Sequence, residues 1–174
     1  GINPSTAAPD ALDPTLQSAQ RIALNNGYDS FLMFNVYAQR ATRPDDMERV
    51  CNSALHEENR KAFRYLLSLS ETPAIWAAWG NIIEKRDYLM DCMRDFAADG
   101  QAANAQWFTA GPLLKSGHPH HPLYLKSTTA LQPFDITCAA DPAARLDFRT
   151  DGFFFDLPLS KKHKSPPLNN AEFW

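Results

Sequence analysis

Four short segments of the sequence carry residue types that could bind a ligand or take part in a reaction. Asn3 lies in a turn-forming sequence, residues 3–6 (NPST), and Asn35 ends an apolar run. Trp79 ends a second apolar run, and three histidines fall within residues 118–125 (HPHHPLYL). An amide side chain donates and accepts hydrogen bonds, and a histidine can transfer a proton near neutral pH. These residues could therefore bind a polar ligand and act on it chemically.

Each segment also fits a purely structural role. The sequence NPST is typical of a turn, and a strand-end asparagine such as Asn35 commonly satisfies backbone groups. Trp79 is typical of a core, and residues 161–164 (KKHK) fit a solvated tail. The histidine-rich segment fits a solvated loop, a metal site or a catalytic histidine. Because no Cys or carboxylate partners stand at a familiar zinc spacing, we expect no metal and no cofactor.

Helix and strand patterns alternate along the first two thirds of the chain. Apolar spacing predicts helices, with their caps, over residues 13–27, 57–69 and 82–100. Short apolar runs predict strands over Ser30–Val36, Ala74–Trp79 and, more weakly, Gln106–Thr109. This order predicts an α/β fold, in which helices pack on the faces of a parallel sheet.

The predicted strands would place the four polar segments at one edge of the sheet. Parallel strands end on the same side, and open α/β sheets bind ligands there. The segment around Asn3 belongs to this edge if a strand precedes residue 1. We therefore expect Asn3, Asn35 and His121 to converge on one cleft.

Composition limits the class of protein. The 174 residues suffice for one domain, and a net charge of −3 argues against nucleic-acid binding by bulk positive charge, though not against a local basic groove. The longest apolar run has six residues, whereas a membrane span needs about 20. The cysteines are far apart and odd in number, and no leader sequence opens the chain. We therefore expect a cytoplasmic protein with reduced thiols and no membrane contact.

Five motifs resemble those of an uncharacterised bacterial and phage family, catalogued as domain of unknown function 1643. They are Asn3–Ala7 (NPSTA), Asp13–Thr15 (DPT), Asn35–Thr42 (NVYAQRAT), Ala78–Gly80 (AWG) and His121–Leu125 (HPLYL). The resemblance covers about residues 1–126. That family has no assigned activity, so this resemblance implies no function.

A more distant resemblance, to the uracil-DNA glycosylase superfamily, does imply one. Residues 1–4 (GINP) are similar to the water-positioning motif of its mismatch-specific and thymine-DNA branch, although Ser5 replaces a glycine. Residues 32–35 (LMFN) resemble the strand whose last asparagine reads the pyrimidine edge, and residues 77–80 (AAWG) resemble a Leu-Leu-Trp-Gly strand end. Residues 121–123 (HPL) resemble the loop that enters the minor groove and supplies the leaving-group histidine, without that loop's serine.

The superfamily resemblance implies roles for individual residues. Asn3 would orient the attacking water, Asn35 would read the base, and His121 would stabilise the departing base. Phe34 and Tyr37 are the candidates to stack on the base. His118-Pro119 offers a second alignment of the histidine motif. The residues expected to contact nucleic acid are Ser5, Thr6, Arg40, Arg43, Lys115, His118 and Lys126.

Two functions remain open from the sequence. Signatures of zinc deaminases, P-loop and dinucleotide-binding proteins and serine hydrolases are absent. The resemblance favours hydrolysis of the N-glycosidic bond of a uracil-like or modified pyrimidine in DNA. The alternative is a non-catalytic module that binds a nucleobase, a nucleotide or nucleic acid.

The same resemblance implies the architecture. We expect a three-layer α/β/α domain with a small, mostly parallel, four-stranded sheet over residues 1–140, and a C-terminal extension over residues 141–174. In the superfamily a central strand precedes the GINP motif. Either a segment upstream of residue 1 supplies that strand, or the apolar segment Phe153–Leu157 fills its place as a buried strand, beside the strand of Asn35 or that of Trp79. We expect the second arrangement.

Overall fold

Helices and strands alternate in the part of the chain that the structure, a computed structural model, describes: residues 1–4, 14–41 and 43–137. The elements, in chain order, are α1 (Pro14–Asn25), α2 (Ser53–Leu67), β1 (Ala74–Ala77), α3 (Tyr88–Ala102), β2 (Gln106–Ala110) and β3 (Leu131–Pro133). Short 3₁₀ segments lie at Pro44–Asp46, Asn81–Lys85 and Pro122–Tyr124. The α/β class predicted from the sequence is confirmed.

Each of the three helices overlaps a segment that apolar spacing predicts as a helix. Pro14 opens α1, which buries Ala19, Ile22 and Ala23 on one face. The Asn52 side chain caps α2 by accepting from the backbone N–H of Leu55 at 3.1 Å. This cap starts α2 at residue 53, earlier than the apolar spacing alone predicts.

The sheet of the described residues has three strands, with β2 in the centre. β1 pairs with β2 in parallel, with Ile75 opposite Trp107. β3 pairs with β2 in the antiparallel direction, with Thr109 opposite Gln132. The expectation of a mostly parallel sheet is therefore corrected to a mixed one. β3 was not predicted, because three residues ending in a proline are too short to show a strand period.

The segment Ser30–Val36, predicted as a buried strand, is not a strand in the structure. Leu32 is 71% exposed and Phe31 39%. The backbone hydrogen bonds of this segment to other described residues lie at its end, where Gly1 donates to Phe34 and accepts from Val36. Residues 30–33 have no such partner among the described residues. An apolar run forms a strand only beside another strand, and here that neighbour is missing from the described chain.

The third helix begins later than predicted. Residues 81–85 form a 3₁₀ segment, and α3 starts at Tyr88 instead of near residue 82. Arg86 causes the break. Its backbone is extended, with φ of −141°, and its guanidinium donates to the carbonyls of Asp45 and Met47 at 2.8 and 2.7 Å. This contact pulls the chain out of a helical path.

Several expectations concern residues outside the described ranges. These are the buried strand Phe153–Leu157 and the extension over residues 141–174, so both stay predictions, as does a fourth strand. None of the described helices is both long and apolar enough to cross a membrane.

Candidate functional site

The carboxyl end of β1 packs against the histidine-rich segment. Trp79 is buried, and Gly80 donates its N–H to the Pro119 carbonyl at 3.0 Å. A Cβ on Gly80 would lie 3.2 Å from the Cβ of His121. Gly80 also has φ of +66° and ψ of −174°, a conformation essentially restricted to glycine. The Trp-Gly strand end and the His-Pro loop are therefore in direct contact.

The loop that carries His121 is anchored on both sides. The hydroxyl of Ser18 on α1 donates to the Pro122 carbonyl at 2.8 Å. Leu114 donates its N–H to the His118 carbonyl, also at 2.8 Å. Pro119 and Pro122 are fully buried. These contacts give the loop one defined course, although it lacks helix and strand apart from one 3₁₀ turn.

His121 is half-buried and caps the 3₁₀ segment Pro122–Tyr124. Its Nδ1 accepts from the backbone N–H of Leu123 at 3.4 Å. In the neutral imidazole the proton then resides on Nε2, because one ring nitrogen accepts and the other donates.

His118 differs from His121 in that it is fully buried. Its Nδ1 accepts from the indole N–H of Trp79 at 3.3 Å, and its Nε2 lies 2.9 Å from Oε1 of Glu84. A ring with no exposed surface offers nothing to a phosphate in this conformation. Of the two histidines, only His121 therefore keeps exposed surface.

Asn35 lies beside Gly1 and is held by its backbone. Its carbonyl accepts from Nδ2 of Asn59, on α2, at 3.0 Å. A Cβ on Gly1 would lie only 2.5 Å from Oδ1 of Asn35, so Gly1 and the Asn35 side chain approach closely. The side-chain amide of Asn35 makes no hydrogen bond with a described residue. Its donors and acceptor are therefore available to a ligand.

Asn3 has a fixed amide. Its Nδ2 donates to the carbonyl of Ala41 at 3.0 Å and to that of Pro4 at 3.1 Å. Both Nδ2 protons are used in this way, which fixes the orientation of the side chain. Its Oδ1 has no partner within the described ranges and can accept from a water molecule.

A cavity of about 470 Å³ is lined by both the segment Ser30–Val36 and β1. Gly1, Asn35, Trp79 and Pro122 all line it. Asn3 and His121 are not among its described lining residues, but each is close in sequence to one that is. The structure thus brings Asn35 and Phe34 to this cavity and places the His121 loop at its border.

The two candidate stacking aromatics have different surroundings. Phe34 lines the cavity and contacts the rings of Phe63 and Phe96, with centroids 5.2 and 5.6 Å away. Tyr37 is fully buried; its hydroxyl accepts from the Asn52 N–H at 2.8 Å. Burial raises the pKa of Tyr37. Tyr37 therefore supports the start of α2, whereas Phe34 packs against the core beside the cavity.

The residues expected to contact nucleic acid fall into three groups. The exposed side chains are Arg40, Arg43, Lys115 and Lys126. His118 is buried, as described above. Ser5 and Thr6 lie outside the described residues.

Two residues near the site were missed by sequence reasoning. Glu84 contacts His118, and Asn59 holds the backbone of Asn35. Glu84 carried no sequence signal, because an acidic residue on a short polar turn is ordinary. Asn59 did carry one, since a polar residue on the buried face of α2 requires a hydrogen-bond partner. No cluster of three or more metal-ligating side chains occurs in the part of the chain that is described.

Comparison with known proteins identifies a family and no function. A sequence model of the family described as "Protein of unknown function (DUF1643)" matches residues 1–123. No curated protein and no solved structure matches the chain. Because the match covers well over half of the 174 residues, the chain belongs to this family of unknown function.

Proposed function

We propose that this protein recognises a nucleobase as a member of the uracil-DNA glycosylase superfamily and hydrolyses the N-glycosidic bond of a uracil-like or modified pyrimidine in DNA. The observation that carries the proposal is the contact between Gly80 and His121. It joins a Trp-Gly strand end to a His-Pro loop at the carboxyl end of a parallel strand, where α/β sheets bind ligands.

His121 would act on the leaving group. As the glycosidic bond breaks, negative charge develops on the pyrimidine oxygens. A donor already aimed at that charge stabilises the transition state more than the bound substrate. The hydrogen bond from Leu123 to Nδ1 keeps Nε2 as the donor of the neutral ring.

Asn35 and Asn3 would complete the reaction site. The side-chain amide of Asn35 can match the edge of uracil, which presents both an acceptor and a donor. Oδ1 of Asn3 can accept from the water that attacks the sugar. An amide cannot take the proton of that water at neutral pH, so the reaction should be slower than one with a carboxylate in this place.

The architecture we propose has a fourth strand in the cavity, so the base would bind beside Asn35 at the carboxyl edge of the sheet and not in the cavity itself. Among the described residues, β1 pairs with β2 on one side only, and Ala74–Ala77 line the cavity. Residues 30–33, across the cavity, also lack backbone partners among the described residues. A strand between them would satisfy both edges and cover the exposed side chains of Phe31 and Leu32.

The surface near His121 suits entry into DNA. Leu123 is 46% exposed and Tyr124 is 81% exposed, close after the histidine. Apolar side chains that project from a loop can separate stacked bases and help to extrude one. On this proposal the extruded base would then contact both Asn35 and His121.

A strand-cleavage assay tests the proposed function. The protein is incubated with single-stranded and mismatched oligonucleotides that contain uracil, hypoxanthine or hydroxymethyluracil, and alkali then cleaves any abasic site. We expect breaks at a pyrimidine substrate. A parallel preparation of His121→Ala controls for contaminating glycosylases, and breaks of equal yield in that preparation would contradict the proposal.

The second candidate function is binding without cleavage. It is favoured by the amide at position 3, because none of Asn3, Asn35 and His121 is a carboxylate that could act as a general base. Saturable binding of the same oligonucleotides without strand breaks would support this function.

A further inference from the structure

We propose that Glu84 and His118 are positioning residues: the hydrogen-bonded chain Glu84–His118–Trp79 sets the tautomer of His118 and so holds the loop of His121 against the end of β1. The effect on catalysis rests on the proposed function, but the structural part does not. Glu84 lies on the 3₁₀ segment Asn81–Lys85, and Trp79 lies just after β1.

Trp79 determines which nitrogen of His118 is protonated. The indole N–H can only donate, so Nδ1 of His118, 3.3 Å away, must be the unprotonated nitrogen. The proton of the neutral ring is then on Nε2, which donates to Oε1 of Glu84 at 2.9 Å. The two neighbours require the same tautomer, and each reinforces the choice of the other.

Because His118 and Trp79 are buried, the wrong tautomer of His118 would be energetically costly. His118 is 0% exposed and Trp79 is 4% exposed. A buried donor without an acceptor loses its hydrogen bonds to water and gains none in return. If the proton moved to Nδ1, two donors would face each other inside the core. Glu84, whose side chain is 56% exposed, reaches the ring from the surface and supplies the acceptor at the other nitrogen.

The chain continues from His118 to His121 through the backbone. The His118 carbonyl accepts from Leu114, and the next carbonyl, of Pro119, accepts from Gly80. Gly80 in turn contacts His121. A displaced His118 ring would therefore loosen the contact between the strand end and His121.

Substitutions of Glu84 test the hydrogen-bonded chain Glu84–His118–Trp79. Glu84→Gln keeps an oxygen that can accept from Nε2. Glu84→Lys offers only donors, so a lysine beside Nε2 would favour the opposite tautomer, with the proton on Nδ1 facing Trp79. Asp87→Lys is the matched control, because it makes the same charge change at an exposed residue just before α3.

Nuclear magnetic resonance of the ring nitrogens of His118, at neutral pH in the full chain, gives the decisive signature. We expect the tautomer with the proton on Nε2 in the unmodified protein, in Glu84→Gln and in Asp87→Lys. In Glu84→Lys we expect loss of that tautomer or of the hydrogen-bonded Trp79 indole signal. We also expect amide exchange at Gly80 to rise about five- to tenfold in that variant, the effect of losing one hydrogen bond.

Two results would overturn the proposal. One is a proton on Nδ1 in the unmodified protein. The other is an unchanged His118 tautomer, indole signal and Gly80 exchange in Glu84→Lys. If a uracil oligonucleotide is cleaved, Glu84→Lys should lower kcat more than it changes KM. If no oligonucleotide is cleaved, the resonance and exchange results still test whether Glu84 and Trp79 set the tautomer of His118. Failure of the proposed function can therefore be distinguished from failure of this inference.

Discussion

Gly80 and His121 face each other so closely that a methyl group on Gly80 would lie 3.2 Å from the Cβ of His121. The Gly80 N–H also donates to Pro119, two residues before His121. The strand end therefore fixes the position of the histidine through backbone contacts, at a residue whose conformation few side chains tolerate.

We expect Gly80→Ala to lower the free energy of unfolding by about 2–3 kcal/mol and to displace His121, because the methyl group meets both backbone strain and the histidine. Gly27→Ala is the matched control. Gly27 also has a positive φ, of +85°, but nothing lies within 4 Å of its Cβ position. That variant should lose about 1 kcal/mol and leave the His121 resonances unchanged. Equal shifts of His121 in both variants would contradict this account.

The contact between α2 and α3 predicts a dependence of stability on pH. Burial alone would raise the pKa of Asp99, but hydrogen bonds and charge from Arg60 and Arg64 hold it below its ordinary value. Because the pKa of Asp99 is lower in the folded state than in the unfolded state, its carboxylate stabilises the folded state at pH values above the unfolded pKa, near 3.9. This stabilisation disappears as the pH falls through the pKa of the folded state. Stability should therefore decline below about pH 4.

Asp99→Asn should lower the free energy of unfolding by about 2 kcal/mol at neutral pH, and less at acidic pH. Arg60 donates to both carboxylate oxygens of Asp99 at 2.8 and 2.9 Å. Asp91→Asn removes an exposed pair with Arg94 on the same helix and should cost no more than a few tenths of a kcal/mol. Urea unfolding at several pH values measures both variants, and an equal cost at all pH values would count against the prediction.

Local patterns predicted the helices, β1 and β2, and the order of the elements predicted the parallel pairing of β1 with β2, but neither predicted the antiparallel strand β3. Apolar spacing located α1 and α2 because each buries one stripe of side chains. The run Ser30–Val36 has the composition of a strand, but whether it pairs depends on a neighbour elsewhere in the chain. Arg86 broke the third helix through carbonyls about 40 residues away, which no local pattern reveals.

If the protein is a glycosylase, His121→Ala and Asn35→Ala should change different properties of the reaction, the first its rate and the second its choice of base. Loss of one preorganised donor to the leaving group lowers kcat by about 10²–10³ and leaves binding largely intact. Asn35→Ala should change which base is accepted. Single-turnover rates and Kd values on several bases measure both, with His120→Ala as the neighbouring control. An equal loss on all bases would show that Asn35 is structural.

Any binding of nucleic acid should be local and sensitive to salt. Lys115 and Lys126 are exposed in a chain with a net charge of −3. Replacing both by Gln should reduce the slope of log Kd against log salt by about 0.7 for each single-strand phosphate that the protein no longer neutralises. Lys61→Gln, which removes a lysine paired with Glu58 on α2, should leave the slope unchanged. A slope unchanged in all variants would point to a small-molecule ligand.

The candidate site was only partly visible in the sequence. The meeting of Trp79-Gly80 with the His-Pro loop follows from strand order, and the structure has that contact. The different environments of His118 and His121 did not follow, because burial depends on packing from Trp79 and Glu84. Likewise, Tyr37 looked like a stacking aromatic, but its hydroxyl supports α2.

A crystal structure with a bound uracil-containing oligonucleotide tests the central claim most directly. We predict that the base lies between Asn35 and His121, with its amide edge within hydrogen-bond distance of the Asn35 side chain. Nε2 of His121 should lie near a pyrimidine oxygen, and a water should lie near Oδ1 of Asn3. A base bound away from Asn35, or Asn35 and His121 on opposite faces of the domain, would contradict the account.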